Sequence, residues 1–292
     1  MSKNETWTLL KILNWTTNFL KEKNIKGARY KTELLISDIL NMKRFELYTN
    51  FEYELMKSES TLLKEYIKRV VSREPIQYIL GKWEFYGYEL TINKDVLIPR
   101  SETEELVEKI IEFLKNKEIE DGFTILDLGT GSGAIIISLY KELENLLTEE
   151  KFNKINFIAS DYSLKAIDIA QKNSVRHDCN IEFVHSDLFQ NLEEKRIDLL
   201  VSNPPYISLN DYNNLEKELF HEPKMALTDN NNGLYFYEQI VQFINKRKIS
   251  STFLEIGYDQ KELLTQVCKT NNIDNFQFYK DLSQNDRMLV IT

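Results

Sequence analysis

The chain has 292 residues, 42% hydrophobic and 28% charged, a balance typical of globular proteins with length for about two domains at roughly 150 residues each. Its 37 basic and 46 acidic residues leave a net charge of −9, which repels a phosphate backbone and disfavours bulk nucleic-acid binding. No apolar run approaches the roughly 20 residues of a membrane helix; two cysteines, Cys179 and Cys268, read as free thiols of a reducing compartment, and His177, His185 and His221 lack metal-ligand spacing, so no metal is expected.

The first two dozen residues lack the short apolar core and cleavage site of a signal peptide, which makes the cytoplasm the expected compartment. Asn4-Glu5-Thr6 and Asn14-Trp15-Thr16 match the glycosylation pattern, but an unsecreted chain gives it no chemistry to meet. Up to Arg73 the apolar residues fall at helical spacing: Leu9, Ile12, Leu13, Phe19 and Leu20, then Leu34, Leu35, Ile39 and Leu40, then Leu62, Leu63, Tyr66, Ile67 and Val70. Residues 1–73 are therefore expected to form a small helical domain, broken at Asn24–Gly27 and Asn41–Lys43, with Ser58 or Ser60 capping its last helix.

Residues 74–100 are expected to be a β-hairpin linker, because aromatic and β-branched residues dominate between Glu84 and Ile98, with Gly87 and Asn93-Lys94-Asp95 as interruptions. Glu102 to Asn116 then reads as an amphipathic helix. From Phe123 onward short apolar runs (Thr124–Leu128, Ile155–Ala159, Ile181–Val184, Ile197–Val201, Thr252–Ile256) alternate with helical stretches (Ala134–Leu147, Leu164–Asn173, Gly233–Lys246). That alternation predicts an α/β fold over residues 101–292, a doubly wound parallel sheet with helices on both faces. Phe276–Tyr279 and Met288–Ile291 read as a closing pair at its edge.

The run Asp127-Leu128-Gly129-Thr130-Gly131-Ser132-Gly133 follows the first strong strand and opens a helix. Glycines there allow a ligand close to the backbone, and the helix amides that follow can meet a carboxylate or phosphate. Gly129, Gly131 and Ala134 also satisfy the dinucleotide pattern, so the segment does not choose between a nicotinamide cofactor and another nucleoside-bearing ligand. Asp161, at the end of the next strand, is placed to accept from both ribose hydroxyls. Asp187 could accept from an adenine amine while Leu188 or Phe189 packs on its ring; a strand-end aspartate can equally be a helix cap or turn former.

Asn203-Pro204-Pro205-Tyr206 follows a further strand. Two prolines fix φ and remove two donors, leaving rigid carbonyls; Asn203 adds a side-chain oxygen, and Tyr206 an aromatic face for a planar group. A planar amine or amide held through its N–H groups by Asn203 and the Pro204 carbonyl would have its nitrogen lone pair turned outward.

The pairing of Asp127–Gly133 with Asn203–Tyr206 resembles S-adenosylmethionine-dependent methyltransferases acting on a planar nitrogen. Arg73-Glu74-Pro75-Ile76-Gln77-Tyr78-Ile79-Leu80-Gly81, Trp83–Gly87, Leu97-Ile98-Pro99-Arg100, Glu102–Val107, Glu222-Pro223, Ala226-Leu227, Gly233-Leu234 and Leu254-Glu255-Ile256-Gly257 narrow the likeness to the glutamine methyltransferases of peptide chain release factors. Two departures are visible: Ser101 stands where that family usually has proline, and Asp229–Asn232 replaces a glycine-rich turn.

The resemblance implies S-adenosylmethionine as cofactor, bound by Asp127, Gly129, Thr130, Gly131, Gly133, Asp161, Asp187, Leu188, Phe189 and Asn203. It implies Asn203, Pro204 and Tyr206 as catalytic residues, with Pro205 completing the substrate site. The acceptor it implies is the glutamine of the Gly-Gly-Gln loop of release factors, held partly by the helical domain, with no direct nucleic acid or membrane partner. Competing readings are a glutamine methyltransferase of a large-subunit ribosomal protein, a DNA adenine methyltransferase, which the −9 charge disfavours, a nicotinamide-dependent oxidoreductase, which leaves Asn203–Tyr206 idle, and a non-catalytic interaction module.

Overall fold

The computed structural model describes residues 7–292; the Asn4-Glu5-Thr6 triplet lies outside them. The chain divides into two compact units, one reaching Gly81 and including Lys217–His221, the other comprising Lys82–Glu216 and Glu222–Thr292.

The first unit holds helices α1 (Leu9–Glu22), α2 (Ala28–Leu40), α3 (Lys57–Val71) and α4 (Ile76–Leu80), plus a 3₁₀ turn at Arg44–Tyr48. Leu9, Leu13, Leu20 and Leu35 are fully buried at its centre, as the helical spacing predicts, and Ile36 and Leu47, outside that reading, are buried with them. Among these apolar residues the buried carboxylate of Glu33 is matched by Arg29 (2.7 Å), Arg44 (2.8 Å) and the Tyr48 hydroxyl. Neither Ser58 nor Ser60 caps α3. The N-cap is Met56, whose backbone N–H donates to Glu59 Oε2 at 2.7 Å, so a glutamate in the first turn does what a serine was expected to do. Residues 74–100 are also not one hairpin: they begin with α4, which packs on α2 and α3.

In the second unit the hairpin is confined to β1 (Lys82–Phe85) and β2 (Tyr88–Thr91), turning at Tyr86 and Gly87, both at positive φ. Irregular backbone leads to α5 (Ser101–Lys115), whose stripe of Leu106, Val107, Ile110 and Leu114 is buried. There follow β3 (Phe123–Leu128), α6 (Ala134–Leu146), α7 (Glu149–Phe152), β4 (Ile155–Asp161), α8 (Leu164–Arg176), β5 (Glu182–His185), β6 (Leu199–Ser202), α9 (Leu209–Tyr212), α10 (Lys224–Leu227), α11 (Tyr235–Arg247), β7 (Ser251–Glu255), α12 (Lys261–Thr270), β8 (Phe276–Lys280) and β9 (Asp286–Ile291). The seven-stranded sheet has the order β5-β4-β3-β6-β7-β9-β8. Strands β3 to β7 are parallel, and the sheet is mixed because β9 runs antiparallel between β7 and β8.

Strand order reverses on either side of β3, which pairs with β4 and with β6. That reversal opens a crevice at the carboxyl ends of the strands, the ligand position of a doubly wound sheet. Every residue of β3 is buried, so the loop after it is anchored on the rigid centre of the fold. Asn173 of α8 ties the hairpin to that loop, accepting from Thr91 N–H (2.7 Å) and donating to the carbonyls of Thr91 (2.9 Å) and Ser132 (2.8 Å).

Candidate active site

A cavity of about 360 Å³ lies over the carboxyl ends of β3, β4, β5 and β6. Gly129, Gly131, Asp161, Asp187, Leu188, Asn203, Pro204 and Pro205 line it, together with Asp95–Leu97, Pro223, Met225, Ala226, Thr228–Asn230, Tyr235 and Phe236. Its charged lining residues are Asp95, Asp161, Asp187 and Asp229, and no lysine, arginine or histidine is among them.

The glycine turn is built from β3 outward. Gly129, Gly131 and Gly133 all have positive φ, which L side chains avoid. A Cβ at Gly129 or Gly131 would meet nothing within 4 Å, and both line the cavity, so the space beside them is a cradle that a side chain would fill. At Gly133 a Cβ would lie 2.9 Å from Ile137 Cδ1 and 3.3 Å from Ala170 Cβ. Gly133 is thus a packing glycine that lets α6 and α8 approach, and it does not line the cavity.

Two further residues of the turn face inward. Asp127 is fully buried; its Oδ2 accepts from the Thr130 hydroxyl at 2.7 Å, and the Ile136 N–H points at the same carboxylate. Burial above all pushes its pKa up to about 7. Asp127 and Thr130 therefore shape the turn, and neither lines the cavity.

The turn's amides are also already used. Gly129 and Thr130 N–H donate to the Ser160 carbonyl (2.8 and 2.9 Å), Gly131 N–H to Asp161 Oδ2 (2.9 Å), and Gly133 N–H to the Thr130 carbonyl (2.9 Å). These four amides of the turn are therefore not free to meet an anion. A pyrophosphate would meet an acidic wall with no donor from these residues, whereas a cationic nucleoside fits.

Asp161 ends β4 with one oxygen on Gly131 N–H and the other on Ser163 N–H (2.8 Å). Burial raises its pKa, against the lowering effect of those amides. The Tyr162 N–H also points at the carboxylate, whose remaining acceptor capacity lies at the cavity wall, where two vicinal hydroxyls would meet it. After β5, Leu188 stands at φ 47° and lines the cavity beside Asp187. Phe189 turns the other way, buried and stacked on Phe243 at 3.6 Å between centroids, so of the two apolar candidates only Leu188 is available to a ring in the cavity.

At the end of β6, Ser202 donates to the Leu128 carbonyl at 2.6 Å and locks the strand end to the turn. Asn203 Nδ2 donates to Thr103 Oγ1 at 3.2 Å, and the Thr103 hydroxyl donates to Glu255 Oε2 at 2.5 Å. Its amide nitrogen being engaged, Asn203 is left with its oxygen as acceptor. Beyond the prolines, the Tyr206 carbonyl accepts from Gln260 Nε2 (3.2 Å) and Ile207 N–H donates to Leu227 (3.0 Å). Among the described residues no hydrogen bond reaches the Pro204 carbonyl.

Tyr206 does not line the cavity. Its ring packs on the core, and burial, then Glu255, pushes its pKa up to about 12; the aromatic walls are Tyr235 and Phe236 instead. Opposite, buried Glu222 accepts from Ile98 N–H (3.0 Å) and from Arg100 (2.6 Å), fixing the segment that carries Leu97. Asp229 takes the N–H groups of Asn231 (2.8 Å), Gly233 (3.0 Å) and Tyr235 (3.1 Å), so the asparagine-rich turn is held by its own first residue. Thr103, Glu255, Glu222 and Asp229 were not read from the sequence as site residues, although the motifs quoted above contain three of them.

Among the described residues no group of three metal-ligating side chains is placed to hold a metal ion, and no helix is long and apolar enough to cross a membrane.

Residues 11–81 match the family model "PrmC N-terminal domain", and residues 107–236 match "Methyltransferase small domain". The release factor glutamine methyltransferase of Geobacter sulfurreducens is 38% identical over 280 residues, covering 94% of this chain and 93% of that protein. That of Fusobacterium nucleatum is 36% identical over 287 residues, covering 96% and 78%. Among solved structures, the human METTL16 catalytic domain in complex with an RNA hairpin matches with a TM-score of 0.54 and 14% identity over 95% of this chain and 91% of that one, a likeness of fold alone. With identity above 30% over at least 94% of this chain and at least 78% of each of these relatives, the chain belongs to the release factor glutamine methyltransferase family.

Proposed function

We propose that this protein transfers a methyl group from S-adenosylmethionine to the side-chain amide nitrogen of the glutamine in the Gly-Gly-Gln loop of peptide chain release factors. The observation that carries the reading is the pair of acceptors at Asn203 Oδ1 and the Pro204 carbonyl, in the same cavity as the Gly129–Gly131 cradle and Asp161. When bound, S-adenosylmethionine supplies an electrophilic methyl on a sulfonium. Gly129 and Gly131 leave room for it, Asp161 is positioned for its ribose hydroxyls, and Leu188 for its base.

The chain's own task is orientation. An amide nitrogen is a poor nucleophile because its lone pair is delocalised into the carbonyl. Holding both N–H groups on Asn203 Oδ1 and the Pro204 carbonyl aims the nitrogen along one line, so alignment supplies much of the acceleration. The N–C bond would form as the methyl–sulfur bond breaks and its electron pair stays on sulfur as a neutral thioether; the nitrogen then becomes acidic and releases a proton to solvent, which requires no strong base. The acidic cavity favours a cation over a nucleotide phosphate, which weakens the oxidoreductase reading. Together with the charge of −9, it supports a protein partner over a nucleic acid.

The test is mass spectrometry of the Gly-Gly-Gln peptide of a release factor incubated with S-adenosylmethionine and either wild type or Asn203→Ala. Wild type methylates that glutamine; Asn203→Ala keeps cofactor affinity near wild type while the rate collapses. Modification of a ribosomal protein with the release factor left untouched would transfer the reading to the alternative substrate.

A further inference from the structure

Asn203 acts only if its amide oxygen, not its amide nitrogen, faces the acceptor, and its own side chain does not decide that. An asparagine amide is nearly symmetric in shape, and the two flips differ only in hydrogen bonding. On the side away from the cavity, Asn203 has one side-chain partner in the structure, the Thr103 hydroxyl. A hydroxyl has one proton. Here the hydroxyl donates it toward Glu255 Oε2, with the two oxygens 2.5 Å apart, which turns the hydroxyl's lone pairs toward Asn203 and admits only the NH2 group there.

Thr103 and Glu255 are both buried, at 4% and 1% exposure, so water does not compete for these positions. They come from α5 and β7, on either side of the loop after β6. We propose that Thr103 and Glu255 are positioning residues for methyl transfer: the carboxylate of Glu255 sets the Thr103 proton, and Thr103 sets the flip of Asn203.

The inference rests on the proposed function and adds a condition to it. If Glu255 takes up a proton, its carboxyl group becomes a donor, the Thr103 proton swings toward Asn203, and the NH2 group turns into the cavity, where it opposes the N–H groups of the acceptor. Burial, the leading influence, pushes the Glu255 pKa up to about 7 against the Thr103 hydrogen bond. The charged and titratable groups around it are Arg287, Glu102, Arg100, Tyr206 and Tyr237, the arginines favouring the ionised form and Glu102 opposing it. The relay is therefore set when Glu255 is ionised and lost as pH falls through about 7. Asp127 is pushed to about 7 as well, but it shapes the glycine turn, so its titration appears in cofactor affinity rather than in kcat.

The experiment measures kcat on an intact release factor from pH 6 to 8.5, with the dissociation constant for S-adenosylmethionine at each pH, for wild type, Thr103→Val, Thr103→Ser, Glu255→Gln and Asn203→Ala. Thr103→Val has nearly the same shape without the hydroxyl; it should lose roughly a hundredfold in kcat, the scale of a misplaced reacting group, with cofactor affinity unchanged. Thr103→Ser should recover most of that loss. Glu255→Gln should flatten the rise in kcat through neutrality. Wild-type kcat in Thr103→Val, a Thr103→Ser as slow as Thr103→Val, or an unaltered pH profile in Glu255→Gln overturns the relay. Should Thr103→Val fail to fold, the serine variant and the glutamine pH profile decide alone. Failure of the functional reading looks different: wild type itself leaves the factor unmethylated, or Asn203→Ala matches wild type.

Discussion

Replacing Asp161 with alanine isolates the contribution of one carboxylate to cofactor binding. Its oxygens accept from Gly131 N–H at 2.9 Å and Ser163 N–H at 2.8 Å, and their remaining acceptor capacity is what the two ribose hydroxyls would use. A hydrogen bond to a charged acceptor is worth about 1.5 kcal/mol at the lower end of its range, so losing two costs about 3 kcal/mol, or roughly 150-fold in affinity. Because the alanine also frees the Gly131 N–H, the turn itself loosens, and the melting temperature must be followed in parallel. Isothermal titration calorimetry with S-adenosylmethionine gives the dissociation constant directly. A value within about threefold of wild type, in a variant that stays folded, would refute the assignment of Asp161 to the ribose.

The two ends of the glycine turn should separate under the same substitution: Gly131→Ala, whose Cβ enters the cradle, should abolish calorimetric binding of S-adenosylmethionine at a stability cost of about 1 kcal/mol. Gly133→Ala, whose Cβ meets Ile137 and Ala170, should lower the melting temperature more than Gly131→Ala does; the reverse ranking would exchange their roles. In the helical unit, Trp15 and Phe45 are 47% and 65% exposed, an arrangement suited to gripping a protein partner. Trp15→Ser with Phe45→Ser should raise KM for the intact release factor and leave a Gly-Gly-Gln peptide unaffected, and equal KM values on the intact factor would remove that grip.

What the sequence disclosed and what it concealed follow from distance along the chain. The glycine turn and Asp161 were legible because a buried strand, a tight turn and the next strand end lie within one stretch, each with its own local signature. Leu188 and Phe189 were not separable, since a positive φ at Leu188 sends the second of two adjacent apolar side chains into the core, and no local preference announces that in a leucine. The Ser58 and Ser60 reading failed because a glutamate that caps from inside the first turn can replace a serine at its edge. Thr103, Glu222 and Glu255 sat in segments quoted for their resemblance, yet their partners lie 100 to 152 residues away, and only the closed sheet brings them together.

The two ends of the cavity differ in when they can exist. Gly129 to Leu188 belong to a continuous stretch whose strands β3, β4 and β5 are neighbours in the sheet as well as in the chain. The acceptor end links Asn203 to Thr103 across 100 residues and Thr103 to Glu255 across 152, and is finished only when β7 takes its place. A chain emerging from the ribosome amino-terminus first can thus form the cofactor end before the acceptor end is synthesised. Because β7 is buried along its whole length between β6 and β9, the acceptor end, once made, is held by the centre of the sheet and opens only with it.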